Sequence, residues 1–212
     1  MIARQGRLAV LTSLAVSVVA AATGGLELAV PIVLFTLFLL YILRDPNRQV
    51  PSAPLAVVSP VDGQVTTIED YHDRYLDRPV KRITLRINIL GTYGIRSPIE
   101  GKFLKQWIYQ DNDRPQQTDG SQRPPAIYTG RHFVMVLQTD ENDTVVMIVR
   151  LIPMQRPRCY IHVGERIGQG QRCGWLMFGG VVDLMLPESS RLSVAVGDRV
   201  KAGSDIIASL VH

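Results

Sequence analysis

The sequence predicts a mainly β domain of the β-sandwich or lipoyl-like half-barrel type, preceded by an N-terminal helical membrane hairpin. The first observation is an almost wholly apolar stretch from Leu8 to Leu43, in which Glu27 is the single charged residue. The second is a series of short apolar segments, separated by turn-forming Gly, Pro and Asp, over the rest of the chain. The third is that both ends of this β region carry a strand–turn–strand unit, which predicts that the two ends close the sandwich together.

The length of 212 residues suits one domain of about 170 residues together with a membrane segment. We therefore predict a membrane hairpin of two short helices over residues 1–43. A basic juxtamembrane collar follows over 44–51, where prolines end the helix. The β domain then occupies residues 52–212.

The apolar stretch is too long for one straight spanning helix, because a bilayer core of about 30 Å takes roughly 20 residues. The segment T-G-G-L-E (Thr23–Glu27) predicts a break into two helices. Basic residues flank both ends: Arg4, Arg7, Arg44 and Arg48. By the positive-inside rule both ends face the cytoplasm, which favours a hairpin. A cleaved signal peptide and a shallow re-entrant hairpin are the alternatives.

The composition favours an anionic surface over nucleic acid as a partner. The net charge is +4, and the 23 basic residues comprise 19 Arg and 4 Lys. Arginine is the better bidentate ligand for phosphate and carboxylate, and no basic run with interleaved aromatic residues is present. Cys159 and Cys173 have no partner cluster, so we expect idle or buried thiols and predict no metal site.

The β region predicts several strands by its alternation and its turns. The segments concerned are Val57–Ile68, Arg78–Arg86, Arg131–Thr139, Thr144–Ile152 and Leu192–Leu210. The third and fourth form a hairpin around the turn D-E-N-D. The first segment contains a tight turn over Pro60–Gly63. An Asp in such a turn, here Asp62, usually forms a hydrogen bond with its own backbone.

Two further segments interrupt this pattern. Gln110–Pro125 has the composition of an exposed loop. Trp175–Pro187 reads W-L-M-F-G-G-V-V-D-L-M-L-P, so that a buried strand is broken by two consecutive glycines. On pattern alone such a break is typical of a bulge or a close backbone approach.

Four motifs in this order resemble those of the phosphatidylserine decarboxylases, in particular the short, proteobacterial-type members. They are R-D-P-N-R-Q-V-P (Arg44–Pro51), S-P-V-D-G (Ser59–Gly63), R-S-P-I-E-G-K (Arg96–Lys102) and F-G-G-V-V-D (Phe178–Asp183). The resemblance runs from Arg44 to Leu210. It implies the family's fold, a role in phospholipid metabolism, and attachment to the bacterial inner membrane with the β domain on the cytoplasmic face.

The resemblance also implies what the glycine pair replaces. Members of the family cut their own chain between the Gly and Ser of F-G-S, and the Ser becomes an N-terminal pyruvoyl group that acts as an electron sink. In this chain the would-be cleavage bond follows Gly179, and the Ser position is Gly180. Glycine has neither the hydroxyl that attacks nor the Cβ that β-elimination needs. We therefore expect no pyruvoyl cofactor.

The other members of the family's triad are only partly kept. Asp62 stands at the position of the acid that orients a histidine, and Tyr93 stands where that histidine is usual. Tyrosine, with a pKa of about 10, is a poor general base near neutral pH. Arg96 and Arg158 lie at family positions and are candidates for substrate or head-group binding, whereas Pro153 replaces a usual glycine. The histidines match no motif and are expected at the surface or in hydrogen-bonded core positions: His72, His132, His162 and His212.

Three functions remain open at this point. The first is a membrane-bound pseudoenzyme that binds an aminophospholipid head group or a partner, such as an active decarboxylase or another lipid enzyme. The second is a working decarboxylase, converting phosphatidylserine to phosphatidylethanolamine and CO₂, that is processed by an unrecognised route. The third is a membrane-fusion-type adaptor, a class that normally carries a coiled-coil hairpin; no heptads exist between Val65 and Leu192.

Overall fold

The computed structural model describes residues 7–44, 46–53, 55–109, 128, 130–152, 155 and 158–211, with the backbone alone at 7–9, 24–26, 28 and 29. The chain divides into two compact units. The N-terminal unit comprises Met1–Asn47 with Leu90–Thr92, and the β-domain comprises Arg48–Ile89 with Tyr93–His212. The boundary after Asn47 therefore falls inside the segment 44–51 that was predicted as a collar.

The N-terminal unit contains one helical element, α1 (Arg7–Ile42), which folds back on itself. The hydroxyl oxygens of Ser13 and Thr36 lie 2.7 Å apart. In a straight helix, which rises 1.5 Å per residue, these two residues would be separated by about 34 Å. Ser17 also lies 3.4 Å from Thr36, so the reversal is centred on the segment Thr23–Glu27 where the sequence predicts a break.

The two limbs of α1 expose much of their apolar surface. Leu11, Val18, Leu34 and Phe35 are each more than half exposed. Within the described part of the chain, no helix combines the length and the apolarity required of a membrane span. Insertion of this hairpin into a membrane stays a prediction.

The β-domain contains fourteen strands in its described residues. Those in its first half are β1 (Ala56–Val58), β2 (Gly63–Asp73), β3 (Arg78–Ile87), β4 (Gly94–Arg96), β5 (Gly101–Tyr109), β6 (His132–Gln138) and β7 (Thr144–Arg150). Those in its second half are β8 (Arg158–Cys159), β9 (Arg166–Ile167), β10 (Arg172–Trp175), β11 (Val181–Pro187), β12 (Arg191–Leu192), β13 (Arg199–Val200) and β14 (Ile206–Ser209).

These strands form three antiparallel sheets. The largest is a curved half-barrel of eight strands in the order β13-β2-β3-β11-β7-β6-β5-β9. The two smaller sheets have the orders β1-β14-β12 and β4-β10-β8. Strand β11 lies inside the half-barrel, where its first residue, Val181, is paired with Arg86 of β3 and with Arg150 of β7. The mainly β, half-barrel class predicted from the sequence is confirmed.

The two ends of the β-domain pair with each other, as the sequence predicts. Strand β1 is antiparallel to β14, with Ala56 opposite Ser209. Strand β13 is antiparallel to β2, with Val200 opposite Gly63. Because strands from both ends lie in the same sheets, the domain closes only when its whole chain is present.

The hydrophobic core lies mainly on one face of the half-barrel, and a smaller cluster lies on the other. Successive side chains of a strand point to opposite faces. In β11, Leu184 belongs to the main core, whereas Met185 belongs to the second cluster. This central strand is therefore covered on both faces, which explains why its sequence reads as a nearly continuous apolar run.

The predicted hairpin is confirmed as β6 and β7, with Gln138 opposite Thr144 across the turn. The predicted strand over Arg78–Arg86 is confirmed as β3. The loop predicted over Gln110–Pro125 lies outside the described residues, as does Pro153.

Replacement of Gly101 by Ala should destabilise the domain. A Cβ added at Gly101 would lie 2.0 Å from the carbonyl oxygen of Gln138 on the paired strand, so the two strands must separate. We expect a loss of about 1–3 kcal/mol in the free energy of unfolding, measured by denaturant titration.

Gly94→Ala is the matched control, because a Cβ there has no neighbour within 4 Å. This variant should change the free energy of unfolding by less than about 0.5 kcal/mol. Equal losses in the two variants would contradict the close approach of β5 and β6.

Candidate functional site

The three positions of the predicted triad converge on one tripeptide, Ile87–Ile89, which ends β3 and continues just past it. The amide of Ile87 donates to the carbonyl of Gly180 (2.9 Å), and the amide of the next residue, Asn88, donates to the carbonyl of Asp62 (2.9 Å). The carbonyl of Ile89 accepts a hydrogen bond from the hydroxyl of Tyr93 (3.0 Å). Positions as distant in sequence as Asp62 and Gly180 are thus brought together through consecutive backbone groups.

The loop that joins β10 to β11 holds the glycine pair in unusual backbone conformations. The φ angles of Phe178, Gly179 and Gly180 are +66°, +82° and +139°. A Cβ added at Gly180 would lie 3.1 Å from the carbonyl oxygen of Arg150 and 3.3 Å from the Cδ2 of Leu176. The close backbone approach predicted from the glycine pattern is therefore confirmed, and glycine fits this position without strain.

Tyr93 is a packed interior side chain. It is 2% exposed, its ring meets that of Trp175 edge-on at 5.8 Å, and its hydroxyl is engaged by Ile89 as described above. Burial raises the pKa of the phenol above its usual value, because the charged form is poorly solvated there. Its proton is consequently even harder to remove than in an exposed tyrosine.

Asp62 is committed to partners outside its own turn. Its carboxylate forms an ion pair with Arg48 at 2.8 Å and accepts the amide of Ala202 at 2.8 Å. The turn-forming interpretation of Asp62 missed these long-range contacts. Arg48 is correspondingly half-buried against Asp62, and the position of the predicted collar at a membrane stays a prediction. The hydrogen bond from Ala202, together with this ion pair, joins the first residues of the β-domain to its last strands.

Gln155 is a site residue that the sequence interpretation missed. Its amide group donates to the carbonyl of Gly179 at 2.9 Å and also to the carbonyl of Met177. Its own carbonyl accepts the amide of Ile152 at 2.9 Å. The side chain therefore holds the peptide that precedes Gly180, and a single Gln in an irregular segment gave no pattern by which to find it.

A buried carboxylate fixes the strand that follows the glycine pair. Asp183 is fully buried, accepts the hydroxyl of Thr84 at 2.6 Å and lies 3.0 Å from the guanidinium of Arg150. Tyr128 borders this group, and its pKa is raised by burial and then by the negative charge of Asp183. Because Thr84 and Arg150 belong to the two strands that flank β11, the carboxylate ties all three strands together.

The two arginines predicted to bind head groups occupy different environments. Arg96 is 8% exposed and donates to the carbonyl of Gly170 at 2.8 Å, so it stabilises the interior of the domain. Arg158 is exposed and lies on β8, opposite Trp175. Only Arg158 is accessible to a head group in this arrangement, and head-group binding by either residue stays a prediction.

The cysteines and histidines of the described chain match the expectations for them. Cys159 and Cys173 are free thiols, and burial raises the pKa of both. His132 is buried and within hydrogen-bonding distance of the Gly130 carbonyl, whereas His72 is at the surface beside Asp77. His162 is exposed, and His212 lies outside the described residues.

The fold and site define a class: a half-barrel β-domain with a strained glycine loop placed before its central strand. The family model for phosphatidylserine decarboxylase matches residues 35–208. The chain is 31% identical over 210 residues to a phosphatidylserine decarboxylase proenzyme of Aromatoleum aromaticum, covering 99% of this chain and 96% of that protein. Proteins with the same name from Burkholderia mallei and Burkholderia multivorans are 34% and 33% identical over 211 residues, covering 99% of this chain and 95% and 96% of theirs.

The chain therefore belongs to the phosphatidylserine decarboxylase family. The resemblance drawn from the four sequence motifs is confirmed. No solved structure matches the chain.

Truncation of Gln155 to Ala should loosen the glycine loop. The variant leaves the Ile152 amide and the Gly179 carbonyl without their side-chain partner, which we expect to cost about 1–3 kcal/mol of unfolding free energy. Hydrogen exchange should accelerate at the Ile152 amide, because that proton loses its acceptor.

Gln64→Ala is the control, because Gln64 donates to the Gly197 carbonyl at an exposed position. Its effect on stability should stay below about 0.5 kcal/mol. If Gln155→Ala leaves both stability and exchange at Ile152 unchanged, then Gln155 does not hold the loop.

Proposed function

We propose that this chain is a non-cleaving, membrane-associated member of the phosphatidylserine decarboxylase family. In this proposal it acts in phospholipid metabolism without a pyruvoyl group, by binding an aminophospholipid head group or a partner enzyme of lipid metabolism. The observation that carries the proposal is glycine at position 180, in a backbone conformation and a space that suit glycine.

The chemistry of position 180 supports this proposal. Self-cleavage begins with attack of a side-chain hydroxyl on the preceding carbonyl, which here is the carbonyl of Gly179. Gly180 contributes no side-chain atom, and a Cβ would already be crowded by the carbonyl of Arg150. The residues present therefore do not fit formation of a pyruvoyl group, and we derive no decarboxylation step for this chain.

Among the described residues, those around position 180 do not include the family's activating histidine. Tyr93 occupies the histidine position, and its buried phenol is bonded to the Ile89 carbonyl. Asp62, which would orient that histidine, holds Arg48 and the amide of Ala202. The residues at the other two triad positions, Tyr93 and Asp62, thus take part in contacts that stabilise the fold. This favours a long-standing loss of cleavage over a single recent substitution.

The membrane part of the proposal rests on the N-terminal unit. Its two limbs are apolar and expose large side chains such as Leu34 and Phe35. Exposed apolar area on this scale is usually covered by a membrane or a partner. We propose that the hairpin enters the cytoplasmic face of a bacterial inner membrane, with the shallow, re-entrant arrangement as one form that such short limbs allow.

Restoration of the nucleophile alone should not restore cleavage. In Gly180→Ser the new hydroxyl has no base, and the positive φ costs about 1–2 kcal/mol for any residue with a Cβ. We expect Gly180→Ser to remain one chain on a denaturing gel, as does the matched control Gly180→Ala. The double variant Gly180→Ser, Tyr93→His should cleave slowly, and Asp62→Ala in that background should abolish this cleavage.

Rapid cleavage of Gly180→Ser by itself would overturn this account. It would mean that another residue already serves as the base and that the site is one substitution from activity. Tyr93 would then not mark the lost histidine position.

A further inference from the structure

Three exposed apolar side chains surround the glycine loop. Ile89, Ile152 and Phe178 are 61%, 48% and 60% exposed. We refer to these three residues as the apolar rim. The hydrogen bonds of Ile89 and Ile152 at this site use backbone groups, so their side chains take no part in those bonds.

The three residues of the apolar rim all lie around the glycine loop. The Cγ1 of Ile89 lies 3.3 Å from the position that a Cβ of Gly179 would take. The ring of Phe178 lies 6.2 Å from that of Tyr93. The amide of Ile152 is bonded to Gln155, which in turn donates to the Gly179 carbonyl. Phe178 thus belongs to the glycine loop itself, Ile89 lies beside Gly179, and Ile152 is linked to Gly179 through Gln155.

The backbone at Phe178 is unfavourable for a residue with a side chain. Its φ of +66° places it in the left-handed region, which non-glycine residues rarely adopt. In this conformation the ring stays largely in solvent and does not enter the core. A strained backbone that presents a large apolar side chain to solvent is more readily explained by a binding role than by stability.

The charges beside the loop favour an anionic partner. Arg158 lies opposite Trp175, where the loop begins, and Arg86 lies opposite Val181, where it ends. Both arginines are exposed. The nearby carboxylates Asp62 and Asp183 are each engaged by an arginine. Apolar side chains with flanking arginines are the combination that binds the interface of an anionic bilayer.

We propose that the apolar rim is the surface by which the β-domain contacts a phospholipid bilayer, with its side chains at the level of the head groups and upper acyl chains. This inference rests on the membrane association proposed above and assigns it a site in the β-domain. Three partly exposed side chains present on the order of 300 Å². A stable dimer buries about 800 Å² on each partner, so the area suits a lipid surface better than a second copy of this chain.

Tryptophan quenching in the full-length chain tests this surface. Phe178→Trp places a fluorophore on the rim, and Ile89→Trp is a second rim variant should the first fail to fold. Vesicles of phosphatidylcholine and phosphatidylserine carry acyl chains brominated near the head group. Wild type, with Trp107 and Trp175, gives the background emission, and flotation of the vesicles measures association.

Val163→Trp is the matched control, because Val163 is 54% exposed but lies away from the rim. The amide of the next residue, Gly164, donates to the carbonyl of Phe103. Phe103 is paired with Leu137 of β6, and Leu137 is paired with Val145 near the start of β7. The rim lies near Arg150, five residues or about 16 Å farther along β7.

We expect the protein to float with the vesicles, and bromolipid to quench a tryptophan at position 178 or 89 more strongly than one at position 163. Flotation with equal quenching at rim and control positions would overturn the rim as the contact surface and leave membrane association standing. Failure to float would overturn both. A blue shift of the rim tryptophan that grows with protein concentration, without lipid, would show that a second copy covers the rim.

Discussion

The position of β11 between β3 and β7 is the constraint on which the site depends. Its register sets Val181 opposite Arg86 and Arg150, and the Asp183 carboxylate binds side chains from both neighbouring strands. Asp183 itself is fully buried, so removal of a partner would leave its negative charge uncompensated in the interior, which is unfavourable. The register of β11 is therefore fixed. Because the position of Val181 is fixed with it, the preceding loop has to end at that position.

This fixed end point explains why the loop before β11 has unusual backbone angles and is held by hydrogen bonds. The Gly180 carbonyl is bonded to the amide of Ile87, and the Gly179 carbonyl is bonded to the side chain of Gln155. Positive φ angles at three successive residues are the consequence of meeting both bonds in so short a connection. In an uncut chain this loop has to persist, and the glycine pair and Gln155 let it do so.

The fold and the site thus support separate conclusions. The half-barrel, the closing of its two ends and the convergence of the predicted triad positions belong to the fold of this chain, and the chain is a member of the family. We propose that the groups that would carry out the family's chemistry are replaced or engaged elsewhere. A retained fold does not require a retained reaction.

Local pattern was sufficient for much of the fold but for less of the site. The hairpin β6–β7 and the reversal near Thr23–Glu27 were predictable, because each depends on turn residues between apolar segments. Gln155 and the ion pair of Arg48 with Asp62 were not, because these contacts join segments that only the tertiary structure brings together. For the same reason the sequence, which made Arg96 a candidate for head-group binding, did not reveal that its guanidinium is buried against Gly170.

The intact mass of the purified full-length chain, measured after denaturation, tests the central claim most directly. If position 180 can neither attack nor eliminate, the protein remains a single species of 23.6 kDa that does not react with carbonyl reagents. Two fragments, of which the smaller begins at residue 180 with a carbonyl-reactive end, would contradict the account.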